Sequence, residues 1–177
     1  MSDAKQINLQ RFDWTQGPRI IKPTGGKLAD FGSFGVRFMI WGAESGGGFS
    51  LVEHPIAPRA LVAPLHRHTR EDEYSYVLEG RMGAQLGDDV VYAEVGDLVF
   101  KPRNQWHTFW NAGDTPCRIL EIISPAGFEH MFDEIANNVG NFTPEMVQDM
   151  YTRYGFEVDN DSVARLCEQH GLTVGNG

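Results

Sequence analysis

The chain has 177 residues, a formal net charge of −9, 41% hydrophobic and 22% charged residues. That length and composition fit one globular domain with a core and exclude a largely disordered chain. The acidic balance lacks the basic footprint of a nucleic-acid binder, and no apolar run is long enough to span a bilayer.

Glycine at 20 and proline at 9 favour a turn-rich β fold over a helical bundle. Cys117 and Cys167 lie far apart, form no CxxC, and read as reduced structural thiols. The start "MSDAKQINLQRFDW" has no apolar leader, so the expectation is a cytoplasmic protein without membrane or nucleic-acid partners.

Residues 1–30 read as an arm, broken at Gly17-Pro18 and Gly25-Gly26, with one short strand near Arg19–Lys22. From residue 31 to 125 the texture is β. "FGVRFMIW", "GFSLVEHPI", "RALVAPLHRH", "EYSYVLEG", "RMGAQLG", "VVYAEV", "DLVFKP", "WHTFWN" and "CRILEIIS" follow one another, most of them separated by Gly, Asp, Pro or Asn. Short strands at such intervals predict an antiparallel sandwich or barrel.

Residues 126–177 read as a helical extension packed on that barrel. Ser124-Pro125 suits a helix start, and Phe128, Met131, Phe132 and Ile135 make an amphipathic stripe. Thr143-Pro144 predicts a second helix ended by Gly155, and Ser162 caps a third ended by Gly171. The stripe reads as a packing face rather than a gate over a site.

The segment "PLHRHTREDEYSYVLEG" concentrates metal-capable groups. On a strand, residues two apart share a face about 6.7 Å apart, so His66 and His68 can converge on one ion. Glu73 opens the next strand and reaches the same place, and "QWHTFWN" adds His107. Three imidazoles and a carboxylate suit one divalent transition metal (Fe, Mn, Ni, Co, Cu or Zn) and are too nitrogen-rich for Ca or Mg. Glu71 and Asp72 read as a solvated turn, with Asp72, which satisfies the shorter motif spacing, as the reserve ligand. His54, His130 and His170 read as surface or packing residues. Trp106 and Trp110 point away from the metal, towards the N-terminal arm or a second subunit.

Strand phase predicts the substrate pocket. Val62 shares the face of His66 and His68; Ser75 and Val77 share that of Glu73; Phe109 shares that of His107. The strand "GFSLVEHPI" has no ligand to fix its phase, and its more apolar pair, Phe49 and Leu51, is taken as inward. A pocket this apolar predicts an apolar or aromatic ligand with one or two oxygen donors.

The two histidine segments resemble the paired motifs of the cupin superfamily. The first motif is matched by His66, His68, Glu73 and Gly80, the second by Gly96, Pro102, His107 and Asn111. Ala60 and Asn104 stand where the motifs carry turn glycines, and Asn tolerates the left-handed conformation. The resemblance implies a mostly β, antiparallel double-stranded β-helix (cupin or jelly-roll barrel), and a homodimer. Within the superfamily the chain looks similar to small bacterial quercetin-dioxygenase-like proteins. That likeness implies a metal-dependent dioxygenase taking O2 and a small-molecule substrate, aromatic or enolic, with Glu73 as ligand and catalytic base. Two other readings stay open: a non-oxidative isomerase, cyclase or hydrolase using the metal as Lewis acid, and a metal-anchored ligand-binding cupin without turnover.

Overall fold

The computed structural model describes residues 18–174. In chain order the strands are β1 (Lys27–Asp30), β2 (Gly35–Ile40), β3 (Ser50–Ile56), β4 (Leu65–His68), β5 (Asp72–Glu79), β6 (Met82–Leu86), β7 (Asp89–Ala93), β8 (Leu98–Lys101), β9 (His107–Asn111) and β10 (Cys117–Ser124). Helices α1 (Glu129–Asn137) and α2 (Pro144–Tyr154) follow, then β11 (Phe156–Asp159) and α3 (Ser162–His170). Two antiparallel sheets result, one ordered β1-β2-β3-β10-β5-β8 and the other β11-β4-β9-β6-β7. This is the mostly β jelly-roll with a helical C-terminal part that the sequence predicts.

Alternation explains how the sheets close on each other. Val77, Val99 and Ile119 from one sheet meet Met82, Ala84 and Phe109 from the other in a shared core. Gly80 turns the chain between β5 and β6 at φ +76°, where an added Cβ would stand 2.6 Å from the Pro116 carbonyl oxygen. Asn104 takes a φ of +65°, so it occupies the left-handed turn position as asparagine can.

Four expectations are corrected. No strand forms at Arg19–Lys22; the first described strand is Lys27–Asp30, so the sheet begins inside the expected 1–30 arm. Residues 1–17 of that arm lie outside the described residues. The expected strand over 59–68 shrinks to Leu65–His68, because Arg59 sits at φ +57° between Pro58 and Pro64. The first helix starts at Glu129 rather than at Pro125, since Gly127 at φ +134° leaves the helical region.

The fourth correction bears on the site. β11 is a strand inside the region expected to be purely helical, and it pairs antiparallel with β4, Phe156 opposite His68 and Val158 opposite His66. The C-terminal extension therefore completes the sheet that carries three candidate ligands, His66, His68 and His107. Its helices then cover the sheets: α3 places Leu166 against Leu61 and Trp110, and Trp110 stacks on His170. Trp110 is thus covered by α3. Trp106 carries the Arg67 guanidinium over its ring. Among the described residues no helix is long and apolar enough to cross a membrane.

Candidate metal centre

β4, β5 and β9 bring His66, His68, Glu73 and His107 to one point. His66 and His107 are direct cross-strand partners. Glu73 faces inward with Ser75 and Val77 on β5, where buried and less buried residues alternate. All four side chains are buried, and one ligand atom from each lies within 4.8 Å of the others. Glu73 Oε2 is 3.2 Å from His107 Nε2, and its Oε1 is 3.3 Å from His68 Nε2.

The donor set fits a transition metal on two counts. His66 Nδ1 donates to the Pro64 carbonyl at 2.7 Å and His107 Nδ1 to the Gln105 carbonyl at 3.0 Å. These bonds fix the tautomer that leaves Nε2 free as a ligand. His68, only 1% exposed, has neither ring nitrogen hydrogen-bonded, a cost a native interior rarely bears unless something binds there. Metal–ligand bonds near ~2.1 Å separate opposite ligands by about 4.2 Å, so the cluster needs only a small closure.

Electrostatics hold the ligands in their binding forms. Burial, then the neighbouring His107 and His68, push the His66 imidazolium well below its usual range, and burial brings His68 down to about 4. Burial alone would raise Glu73, but Lys101, His68 and His107 outweigh it and hold the carboxyl well below its usual range. At neutral pH the site offers neutral imidazoles at His66 and His68 and a carboxylate at Glu73, the forms a metal takes.

Such shifts have a stability consequence of definite sign. Between the unfolded histidine pKa of about 6.5 and the native value of about 4, the unfolded chain binds protons that the native chain refuses. The metal-free protein should therefore lose on the order of 2–3 kcal/mol through His68 as pH falls from 7 to 4.5, with His66 adding in the same direction. Above about pH 6.5 these groups contribute no slope. Urea denaturation at the two pH values measures this, and equal stability would contradict the burial of neutral imidazoles.

The site opens on a cavity of about 290 Å3. Val62, Phe109, His66, His68 and Glu73 line it from the barrel, and Phe128, Met131, Phe132, Met150 and Tyr151 from the C-terminal region. The Phe128 stripe expected to be a packing face therefore also walls the cavity. Val77 sits in the shared core instead of at the cavity wall, and Ser75 is buried with its hydroxyl donating to Glu121 at 2.9 Å.

The phase chosen for β3 is wrong. Phe49 is 37% exposed and Leu51 half-buried, and neither lines the cavity, whereas Ser50, Val52 and His54 turn inward. Polar Ser50 and His54 hid the true inward face behind an apparently more apolar one. His54, expected at the surface or in packing, is 2% exposed and lines the cavity. Asp72, the reserve ligand, instead pairs on the surface with Arg103 at 2.8 Å. Glu71 is buried, with its carboxylate 4.0 Å from His68 Nδ1, and burial pushes its pKa up to about 7.

Sequence reasoning missed a buried ionic group behind the ligands. Lys101, fully buried, places its ammonium 2.8 Å from Glu73 Oε2, 2.7 Å from Glu121 Oε1 and 4.5 Å from the centre of the Phe109 ring. Alternation sets Lys101 on the face of Val99 and Glu121 on that of Ile119 and Ile123, but it does not show that the two charges meet.

Comparison with known proteins agrees with this geometry. Residues 53–123, from β3 to β10 and including all four candidate ligands, match the family described as Cupin domain. The tetracenomycin polyketide synthase protein TcmJ of Streptomyces glaucescens is 33% identical over 60 residues, which cover 34% of this chain and 40% of that protein. An uncharacterized protein of Methanocaldococcus jannaschii is 32% identical over 66 residues, 37% of this chain and 50% of that one. The chain thus spans at most half the length of these curated relatives.

Among solved structures, KdgF from Halomonas sp. superposes with a TM-score of 0.56 at 16% identity, covering 64% of this chain and 98% of its own. A Thermotoga maritima protein described as a predicted oxalate decarboxylase gives 0.56 at 18% identity, covering 60% and 99%. At such identities the likeness is one of fold. The match over residues 53–123, which carry all four candidate ligands, identifies this part of the chain as a cupin domain.

Proposed function

We propose that this protein is a metal-dependent dioxygenase acting on a small oxygenated aromatic or enolic substrate, as the quercetin-dioxygenase-like resemblance implies. One observation carries the reading: a buried three-histidine, one-carboxylate set reaches, through His66, His68 and Glu73, a cavity walled mainly by aromatic and aliphatic side chains. A divalent transition metal bound there supplies Lewis acidity and, if redox-active, a route for electrons from substrate to O2.

The chain's own residues do the rest. Phe109, Phe128 and Phe132 exclude water and offer faces for a planar substrate. Glu73 is the group placed to take the proton of a substrate hydroxyl. Lys101, ion-paired to it, holds the carboxylate in place and steadies its charge. The relative described as a polyketide synthase protein is in keeping with such a substrate, since polyketides are rich in keto and enol oxygens.

A second reading, a non-oxidative isomerase, cyclase or hydrolase, draws support from Lys101 and Glu121, which put acid–base groups beside the cavity without any need for O2. A metal-anchored binding protein is the third. Oxygen uptake decides among them: protein reconstituted with Fe, Mn, Co, Ni or Cu should consume O2 with at least one of a panel of catechols, flavonols and diketones. Turnover with Zn in the absence of O2 would favour the second reading, and saturable binding without turnover the third.

We also infer a homodimer in a reducing, cytoplasmic setting. The exposed apolar side chains Tyr76, Leu98 and Phe100 on neighbouring strands β5 and β8 support the first, and two free cysteines the second. Light scattering on the eluting protein should give twice the chain mass; a monomer at micromolar concentration would rule the dimer out.

A further inference from the structure

The cavity has a second polar pole. Glu121 and His54 both line it, at 1% and 2% exposure, away from the four candidate ligands in sequence and on different strands. Glu121 Oε1 is fully engaged, receiving Lys101 at 2.7 Å and the Ser75 hydroxyl at 2.9 Å. Its Oε2 meets only His54 Nε2, at 3.4 Å, longer than an ordinary N–H···O bond. His54 Nδ1 is occupied by the Gly35 carbonyl at 3.1 Å. Glu121 Oε2 therefore keeps acceptor capacity for a ligand O–H beside the His54 ring.

We infer that Glu121 and His54 form a binding pole for a neutral hydroxyl of the substrate, opposite the oxygen that the metal side takes. The inference rests on reading this cavity as the substrate site. Charge selects the ligand. A phenol or enol O–H donates to Glu121 Oε2, whereas a ligand carboxylate or phosphate would set another charged acceptor against it.

Size selects it too. Lys101 Nζ lies 2.8 Å from Glu73 Oε2 and 2.7 Å from Glu121 Oε1, so one compact molecule reaches from the metal side to Glu121. The substrate class is therefore a compact aromatic or enolic molecule that chelates through one edge and carries a further hydroxyl across the ring. A site built to bond a hydroxyl discriminates strongly against an analogue lacking it, because its own buried groups are then left unpaired.

The test uses Zn-loaded protein without O2 and titration calorimetry with two probes: hydroxyquinol, a catechol with one further ring hydroxyl, and the methylcatechol with a methyl group in its place. Wild type should bind hydroxyquinol at least about tenfold more tightly. Glu121→Gln, which exchanges a charged acceptor for a neutral one, and His54→Phe, which keeps the ring shape, should each shrink that ratio at least about threefold at matched zinc content. Equal wild-type affinity for the two probes would overturn the second pole while leaving the metal-bearing pocket standing. Binding of neither would overturn both. Should Glu121→Gln fail to fold, an unchanged ratio in His54→Phe overturns the inference alone.

Discussion

Protein with His107 replaced by alanine should lose bound transition metal on dialysis, its affinity falling by more than about a hundredfold. Loss of a mere outer partner of a ligand typically costs roughly 10–100-fold, and His107 is a direct donor in the proposed set. His66→Ala should behave alike, since its Nε2 is held ready by the Pro64 carbonyl in the same way. His170→Ala, on the far side of Trp110, should leave metal content unchanged. Elemental analysis together with chelator competition measures this. If His107→Ala protein keeps wild-type affinity, the four-residue set does not hold the ion. Folding should survive His107→Ala, because Lys101 still pairs with Glu73 when the imidazole is gone.

Lys101→Met should have the opposite character, a stability effect first. The ammonium is the common partner of Glu73 and Glu121, and neither carboxylate has solvent to replace it. Breaking a buried ion pair from one side typically costs about 3–5 kcal/mol, because a charge is left uncompensated. The loss should be largest in the metal-free protein. A bound dication supplies positive charge to Glu73, and a ligand that favours the native state stabilises it by mass action. Urea denaturation with and without Zn checks both statements. A change under about 1 kcal/mol in the metal-free protein would mean that the Lys101 contacts add nothing to the fold.

The histidines and Lys101 thus divide the site's work. Imidazoles tied by backbone carbonyls fix where an ion can sit, and the ammonium behind Glu73 lets two acids coexist in an apolar interior. Burial of Lys101 beside Phe109 joins these roles, since the same ring walls the cavity.

Much of this was legible in the residue order alone. His66, His68, Glu73 and His107 could be identified because a strand repeats every two residues, so spacing translates directly into a shared face. The same rule read Val62 and Phe109 into the cavity wall. It failed on Phe49 and Leu51 because β3 carries no ligand to anchor its phase, and the polar inward residues His54 and Ser50 imitate an outer face. Alternation cannot distinguish a solvated polar face from a buried one whose charges are paired, and pairing is a property of partners far away in sequence.

The amino-acid order by itself determined the antiparallel β class, the helices begun by Thr143-Pro144 and ended by Gly155 and Gly171, and the four converging donors, all consequences of local periodicity and capping. Only the tertiary structure decided that β11 joins β4, that the C-terminal helices wall the cavity, and that Lys101 and Glu121 meet behind Glu73. Those features depend on contacts between residues tens of positions apart. Their free energy comes from burying surface and charge together, which no short stretch of chain records.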